Sequence, residues 1–136
     1  MFDVITVPID ESEYADKAID IAVDLASKYG SKIAAVHVIS ENSIFTYDDL
    51  EDNGDNLLSK ITNKAGEVDV EVVEHLITGD PLRDIDVIIN KTKADLVVIP
   101  AYGYDTFLRG TDTTNFIGSV AERLIKNSKV PVLIVK

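Results

Sequence analysis

The chain has 136 residues, a net charge of −11 and 46% hydrophobic residues, a composition that suits one globular domain with its own core. It contains no cysteine, which excludes disulfides and thiolate metal sites, and its 13 basic residues are scattered, which argues against a nucleic-acid partner. No apolar run approaches the roughly 20 residues of a membrane span, and the N-terminus lacks a signal-peptide pattern, so we expect a cytoplasmic protein without a membrane partner.

The first half of the chain alternates between apolar strands and helical patterns. Residues 4–9 predict the first strand, and the helix after it, which Ser12 can cap, repeats apolar residues at helical spacing. Gly30 stands where a helix ends in the left-handed conformation. Residues 33–39 predict a second buried strand, and a weaker helix covers about residues 48–65.

The second half continues the alternation. Residues 68–77 predict a third strand, and Asp80 can cap the third helix, where Pro81 suits the first position because no N–H is needed there. A fourth strand over residues 96–99, a long loop, a helix opening at residues 118–119 and a strand over residues 132–135 follow. The third helix runs to about residue 93, and its predicted inward-facing residues are Leu82, Ile85, Ile88 and Ile89.

This order of elements predicts an α/β fold. We expect a single doubly wound domain over residues 1–136, with four helices covering a five-stranded parallel sheet in the order 3-2-1-4-5. In such sheets ligands bind beyond the carboxyl ends of the strands, where the winding direction reverses. Here the reversal falls between strands one and four, which are followed by residues 8–11 and 100–103. The loop that ends at Gly118 and Ser119 should close over the same crevice.

Six segments occur in an order that is similar to one family from end to end. They read VPIDESE (7–13), HVI (37–39), GDP (79–81), ADLVVI (94–99), GSVAER (118–123) and PVLIV (131–135). In these segments the chain resembles the universal stress protein (UspA) family. The resemblance implies a domain similar to the adenine-nucleotide alpha hydrolases, which is usually a cytoplasmic homodimer tied to stress survival. One branch of the family binds ATP and another does not.

The resemblance also implies a nucleotide site, which this sequence alters. The ATP-binding branch carries G-x2-G-x9-G-[S/T] after its fourth strand, whereas here Pro100 takes the first glycine's place and 14 residues separate Gly103 from Gly118. Glu11 stands where the family often has glycine. ATP is the implied ligand, with Mg²⁺ only alongside it. By resemblance, Asp10 meets the nucleotide and Val38 lines the adenine pocket, and the implied site residues are Pro8, Ile9, Asp10, Val38, Gly103, Gly118, Ser119 and Val120.

Several of these residues also have purely structural interpretations. Ser119 and Glu122 fit an S-x-x-E capping box, and Asp10 could cap the first helix. Tyr102 and Tyr104 could stack on a base, although loop tyrosines need no such role. The remaining candidates are Arg109, which could reach a phosphate or pair with Asp105 or Asp112, and His37 and His75, whose strand positions favour structural roles over ligand binding.

The sequence predicts neither catalytic residues nor a metal site. It has no GK[ST] phosphate loop, no cysteine nucleophile and no pair of histidines at metal-ligand spacing. The acidic stretch of residues 48–55 does not fit a calcium loop, because counting from Asp49 places Lys60 where the twelfth-position glutamate belongs. We therefore expect no enzyme activity beyond slow nucleotide hydrolysis.

Three hypotheses for function remain. The first is a regulatory or protective stress-response protein that binds an adenine nucleotide. The second is the same fold without nucleotide, acting through protein partners that the sequence does not identify. It would hold if the loop of residues 104–117 is disordered, or if Phe107 and Phe116 fill the crevice. The third is a small α/β enzyme or flavin carrier, since one scaffold hosts many functions.

The closing strand predicts self-association. Between Val130 and Val135 the side chains are continuously apolar and uncharged, and the inferred strand order places them at a sheet edge. Such an edge pairs readily with another copy. By resemblance to the family we expect a homodimer, with the two closing strands paired antiparallel.

Overall fold

The computed structural model describes residues 1–41, 46–103 and 117–136. Strands and helices alternate within these ranges. The strands are β1 (Val4–Pro8), β2 (Lys32–Ser40), β3 (Val72–Gly79), β4 (Leu96–Pro100) and β5 (Val132–Val135), and the helices are α1 (Ala15–Tyr29), α2 (Tyr47–Gly66), α3 (Pro81–Thr92) and α4 (Ser119–Asn127).

The five strands form one parallel sheet in the order β3-β2-β1-β4-β5, which confirms the predicted fold. One face of the sheet is covered by α1 and α2, whose buried residues include Ile19 and Ile61. The other face is covered by α3 and α4 through Ile85, Ile89 and Leu124. Because helices cover both faces of the sheet, a ligand can reach the central strands only at their ends. Among the described helices, none is long and apolar enough to cross a membrane.

Two local signals act as predicted. The Asp80 carboxylate accepts hydrogen bonds from the N–H groups of Leu82 and Arg83 at 3.0 and 2.8 Å, so it caps α3. Gly30 ends α1 with φ at +67°, the left-handed conformation that glycine adopts without steric cost.

Three details differ from the sequence prediction. Ser12 does not cap α1, because its N–H and Oγ both bind the Asp10 carboxylate, at 2.9 and 2.6 Å, and α1 begins only at Ala15. The third strand begins at Val72 and not at residue 68, because the Val70 N–H donates to Ala65 in a turn that follows α2. Leu82, which was predicted to face inward, is 41% exposed in the first turn of α3, whereas Ile85, Ile88 and Ile89 are buried as predicted.

Candidate functional site

Two prolines separate the strands at the reversal point of the sheet. The Ile9 N–H donates to Val36 of β2, so the neighbouring residue Pro8 turns its backbone nitrogen toward β4. The Ala101 N–H donates to Val135 of β5, so Pro100 likewise turns its nitrogen toward β1. Neither proline has an N–H to give, and the β1–β4 pairing accordingly stops at Thr6. A crevice therefore opens between β1 and β4 at their carboxyl ends.

This crevice contains a cavity of about 470 Å³. The volume is within the usual range for small-molecule sites. The described structure brings all eight predicted site residues together on its wall: Pro8, Ile9, Asp10, Val38, Gly103, Gly118, Ser119 and Val120. Sequence reasoning missed several apolar residues that helices contribute, among them Leu50 from α2 and Leu82 and Ile85 from α3. One sequence feature could have indicated that Leu82 lines the cavity: it lies in the first turn of a helix that begins at the carboxyl ends of the strands.

The β2 edge of the cavity presents a peptide group that has no hydrogen-bond partner among the described residues. The backbone N–H and C=O groups of the even-numbered residues of β2 point toward β1. Two hydrogen bonds show this: the Lys32 N–H donates to the Asp3 carbonyl, and the Val36 carbonyl accepts from the Ile9 N–H. The N–H and C=O of Val38 therefore face the same side, but β1 has ended at Pro8, whose register partner is Val36. No described residue bonds to this Val38 edge. It forms one donor and one acceptor on a wall that is otherwise mainly apolar.

Charged side chains of the protein itself cap and surround the N-terminus of α3. Besides the Asp80 cap, the Asp84 carboxylate accepts from the Asp80 N–H at 3.0 Å, and Arg83 bridges Asp84 and Glu41. The hydrogen bond from Arg83, helped by that from the Asp80 N–H, holds the pKa of Asp84 well below its ordinary value. Glu41 in turn follows the end of β2, so this exposed network connects β2 to α3 at the cavity rim.

The start of α4 has a different arrangement, and the capping-box prediction is wrong. The N-cap residue is Gly118, so Ser119 is already the first helical residue, and the N-cap residue itself has no side chain with which to cap the helix. The Gly118 N–H donates to Ala101 at 2.8 Å, and the Glu122 N–H donates to Gly118 at 2.9 Å. This contact fixes the helix start against the end of β4, and Gly118, Ser119 and Val120 lie on the cavity wall.

The charged residues on the described cavity wall are all acidic. Asp10, Glu11 and Asp80 contribute carboxylates, and neither lysine nor arginine lines the part that the structure describes. Asp10 does not cap α1; it accepts both hydrogen bonds from Ser12 and so holds the chain that leaves β1 in a tight turn. Within the described residues, no three acidic or histidine side chains cluster as a metal site would require.

Tyr102 contacts another aromatic ring. Its ring packs edge-on against the ring of Tyr14, with the ring centroids 5.3 Å apart. Tyr102 also lines the cavity. The remaining loop predictions lie outside the described residues: Tyr104, Asp105, Phe107, Arg109, Asp112 and Phe116.

Comparison with known proteins decides the family. A sequence model described as the universal stress protein family matches residues 1–136. The chain belongs to the universal stress protein family. The universal stress protein MJ0531 of Methanocaldococcus jannaschii is 30% identical over 146 residues, covering 100% of this chain and 83% of that relative. The resemblance seen in the sequence is thereby confirmed.

Solved universal stress proteins share the fold. One from Archaeoglobus fulgidus in complex with dAMP superposes with a TM-score of 0.75 at 24% identity, covering 98% of each chain. Another universal stress protein, in complex with cAMP, superposes with a TM-score of 0.77 at 21% identity, covering 99% of this chain and 97% of that one. At these identities the likeness is one of fold.

Proposed function

We propose that this universal stress protein is a cytoplasmic, homodimeric stress-response module that binds an adenine nucleotide in the crevice cavity. The single observation that carries the nucleotide proposal is the Val38 peptide edge, which no described residue pairs, within a mainly apolar cavity at the sheet's reversal point. Adenine presents its exocyclic N6 amino donor beside the ring acceptor N1 on one edge, and a peptide C=O and N–H complement them. The same cavity would accept the flat apolar faces of the ring.

The other elements of the wall suit the rest of a nucleotide. The Asp10 carboxylate lies on the cavity wall, where its chemistry suits sugar hydroxyls, and the start of α4 lies on the same wall, where a helix N-terminus suits a phosphate. Proteins with this fold can hold an adenine nucleotide, as the dAMP and cAMP complexes illustrate. Fold alone does not assign a ligand, so the residues of this cavity support the proposal. ATP is one candidate ligand, and Mg²⁺ would enter only with it.

The first experiment is native mass spectrometry of the protein with AMP, ATP, Mg-ATP and, as a control, GMP. We expect one adenine nucleotide per subunit and much weaker binding of GMP, because guanine presents its donor and acceptor in the reverse order. A protein that stays without nucleotide at millimolar concentrations would contradict the proposal and favour action through protein partners.

A pair of variants at Val38 tests the peptide edge itself. Val38→Pro removes the N–H that faces the cavity, and the bonds between β2 and β3 stay intact because they involve the odd-numbered residues of β2. Val38→Ala trims the same side chain but keeps the N–H. We expect Val38→Pro to bind AMP at least tenfold more weakly than Val38→Ala in titration calorimetry. Equal affinities would show that the Val38 N–H does not contact the ligand.

The dimer proposal is supported by the edge position of β5. This strand is an edge strand of the sheet, and its residue Leu133 is 37% exposed. No residue between Val130 and Val135 is charged. Sedimentation of Leu133→Asp should show monomers. Val87→Asp, at an apolar α3 position that is 54% exposed, is the matched control and should stay dimeric. A dimeric Leu133→Asp protein would argue for another interface.

A further inference from the structure

We infer that His37 is a positioning residue that keeps the peptide edge of Val38, at the end of β2, available to the ligand. It does so by occupying the Ile9 carbonyl, which would otherwise pair with the Val38 N–H. The inference rests on the proposed function for its ligand, an adenine nucleotide. It adds to that function the device that prevents the protein from closing its own site.

The central contact is a side-chain hydrogen bond at the end of β1. His37 Nδ1 lies 3.0 Å from the Ile9 carbonyl oxygen, and both residues are 6% exposed. A carbonyl oxygen can only accept, so Nδ1 carries the hydrogen and donates it. The bond therefore fixes both the orientation of the imidazole and the hydrogen on Nδ1.

Ladder geometry identifies the donor that His37 replaces. In a parallel pair, a residue whose N–H donates to one residue of the neighbouring strand accepts from the N–H two positions further along that strand. The Ile9 N–H donates to Val36 at 2.9 Å, so the regular partner of its carbonyl would be the Val38 N–H. That bond is absent among the described residues, and the β1–β2 register ends at Pro8 and Val36. The imidazole thus ends the ladder one pair early.

Close packing holds the imidazole in this position from the opposite side. A Cβ placed on Gly54 of α2 would lie 3.0 Å from His37 Cδ2 and 2.5 Å from Leu76 Cδ1. Glycine at this point lets α2 approach the ring closely, and the ring has little room to turn away from Ile9.

The test compares His37→Leu with His37→Asn. Leucine has a similar branched shape but no donor, so the buried Ile9 carbonyl is left unpaired and should recruit the Val38 N–H. Asparagine places its amide nitrogen near the Nδ1 position and keeps the donor. The first readout is amide hydrogen exchange of Val38, followed by NMR without ligand, and the second is AMP affinity by calorimetry.

We expect at least tenfold slower Val38 exchange and at least tenfold weaker AMP binding in His37→Leu, with His37→Asn close to wild type in both. Equal Val38 exchange in wild type and His37→Leu would overturn the inference, as would a His37→Asn protein that behaves like His37→Leu. The exchange readout needs no ligand. If wild type bound no nucleotide, the proposed function would fail, whereas slower exchange in His37→Leu alone would still establish the local role of His37.

Discussion

The starts of α3 and α4 border the same cavity, yet they are built in different ways. At α3 the Asp80 carboxylate accepts from two backbone N–H groups, and Asp84 and Arg83 surround it with further charge. At α4 the cap residue is Gly118, which has no side chain to offer. A helix N-terminus attracts anions, and a carboxylate from the chain can take that place. The comparison shows that α3 has a carboxylate of the chain at its N-cap, whereas the N-cap of α4 is a glycine, and under the proposed function the phosphate would lie at α4.

The largest expected effect comes from removing the apolar support that both helix starts share. Leu124 is 1% exposed and lies in one cluster with Ile85 and Ile89 of α3. Leu124→Ala should lower the free energy of unfolding by about 2–5 kcal/mol, because it removes buried methyl groups and leaves a cavity. Urea unfolding measures this. Ile125→Ala, at a position 51% exposed, should stay within about 0.5 kcal/mol of wild type, and similar losses in both would contradict the packing described.

The next prediction makes α4 resemble α3. Gly118→Asp places a carboxylate at the N-cap position, where it should accept from first-turn N–H groups as Asp80 does. AMP affinity should fall at least tenfold, equivalent to about 1.4 kcal/mol, while adenosine affinity changes little because it lacks a phosphate. Calorimetry with both ligands measures this. Gly118→Asn has the same shape without charge, and an equal loss of AMP binding in both variants would assign the effect to shape.

The reverse change opens the start of α3. Asp80→Ala leaves the N–H groups of Leu82 and Arg83 without their acceptor, and loss of such a cap typically costs about 1 kcal/mol of stability. Asp80→Asn keeps an acceptor oxygen and should lose less. Chemical unfolding of both variants measures the difference, and an Asp80→Ala protein as stable as wild type would show that water replaces the cap without cost.

The same two helix starts show what the sequence could reveal. The Asp80-Pro81 signal predicted the α3 start correctly because both residues act on the backbone next to them. Ser119 was misassigned as a cap, because the position of the first helical residue depends on how Gly118 bonds to the end of β4, a contact between distant segments. Strand order followed from alternation and crossover handedness, which are general properties of α/β chains.

The cavity was predictable only in part for a similar reason. Its position and eight lining residues followed from the reversal point of the sheet and from resemblance. Leu50 and Leu82 were missed, because which apolar side chain of a helix reaches the cavity depends on how that helix lies on the sheet. The open edge at Val38 depends on where the β1–β2 ladder stops. At that position the Ile9 carbonyl accepts from the His37 side chain and not from the Val38 N–H, a contact that strand patterns do not show.

The smallest expected effect concerns the charges that close α3, and it depends on pH. The hydrogen bond from Arg83, together with that from the Asp80 N–H, lowers the pKa of Asp84 in the folded protein. The resulting stabilisation is present above the unfolded pKa, which is about 4, and is lost as pH falls through the lower folded value. Asp84→Asn should therefore be slightly less stable than wild type at pH 7, and the difference should shrink steadily below about pH 4. Thermal unfolding across this range measures it, and because Asp84 and Arg83 are solvent-accessible, added salt should also reduce the difference. A difference that stays constant from pH 7 to acid would show that the amide, and not the lost charge, causes the change.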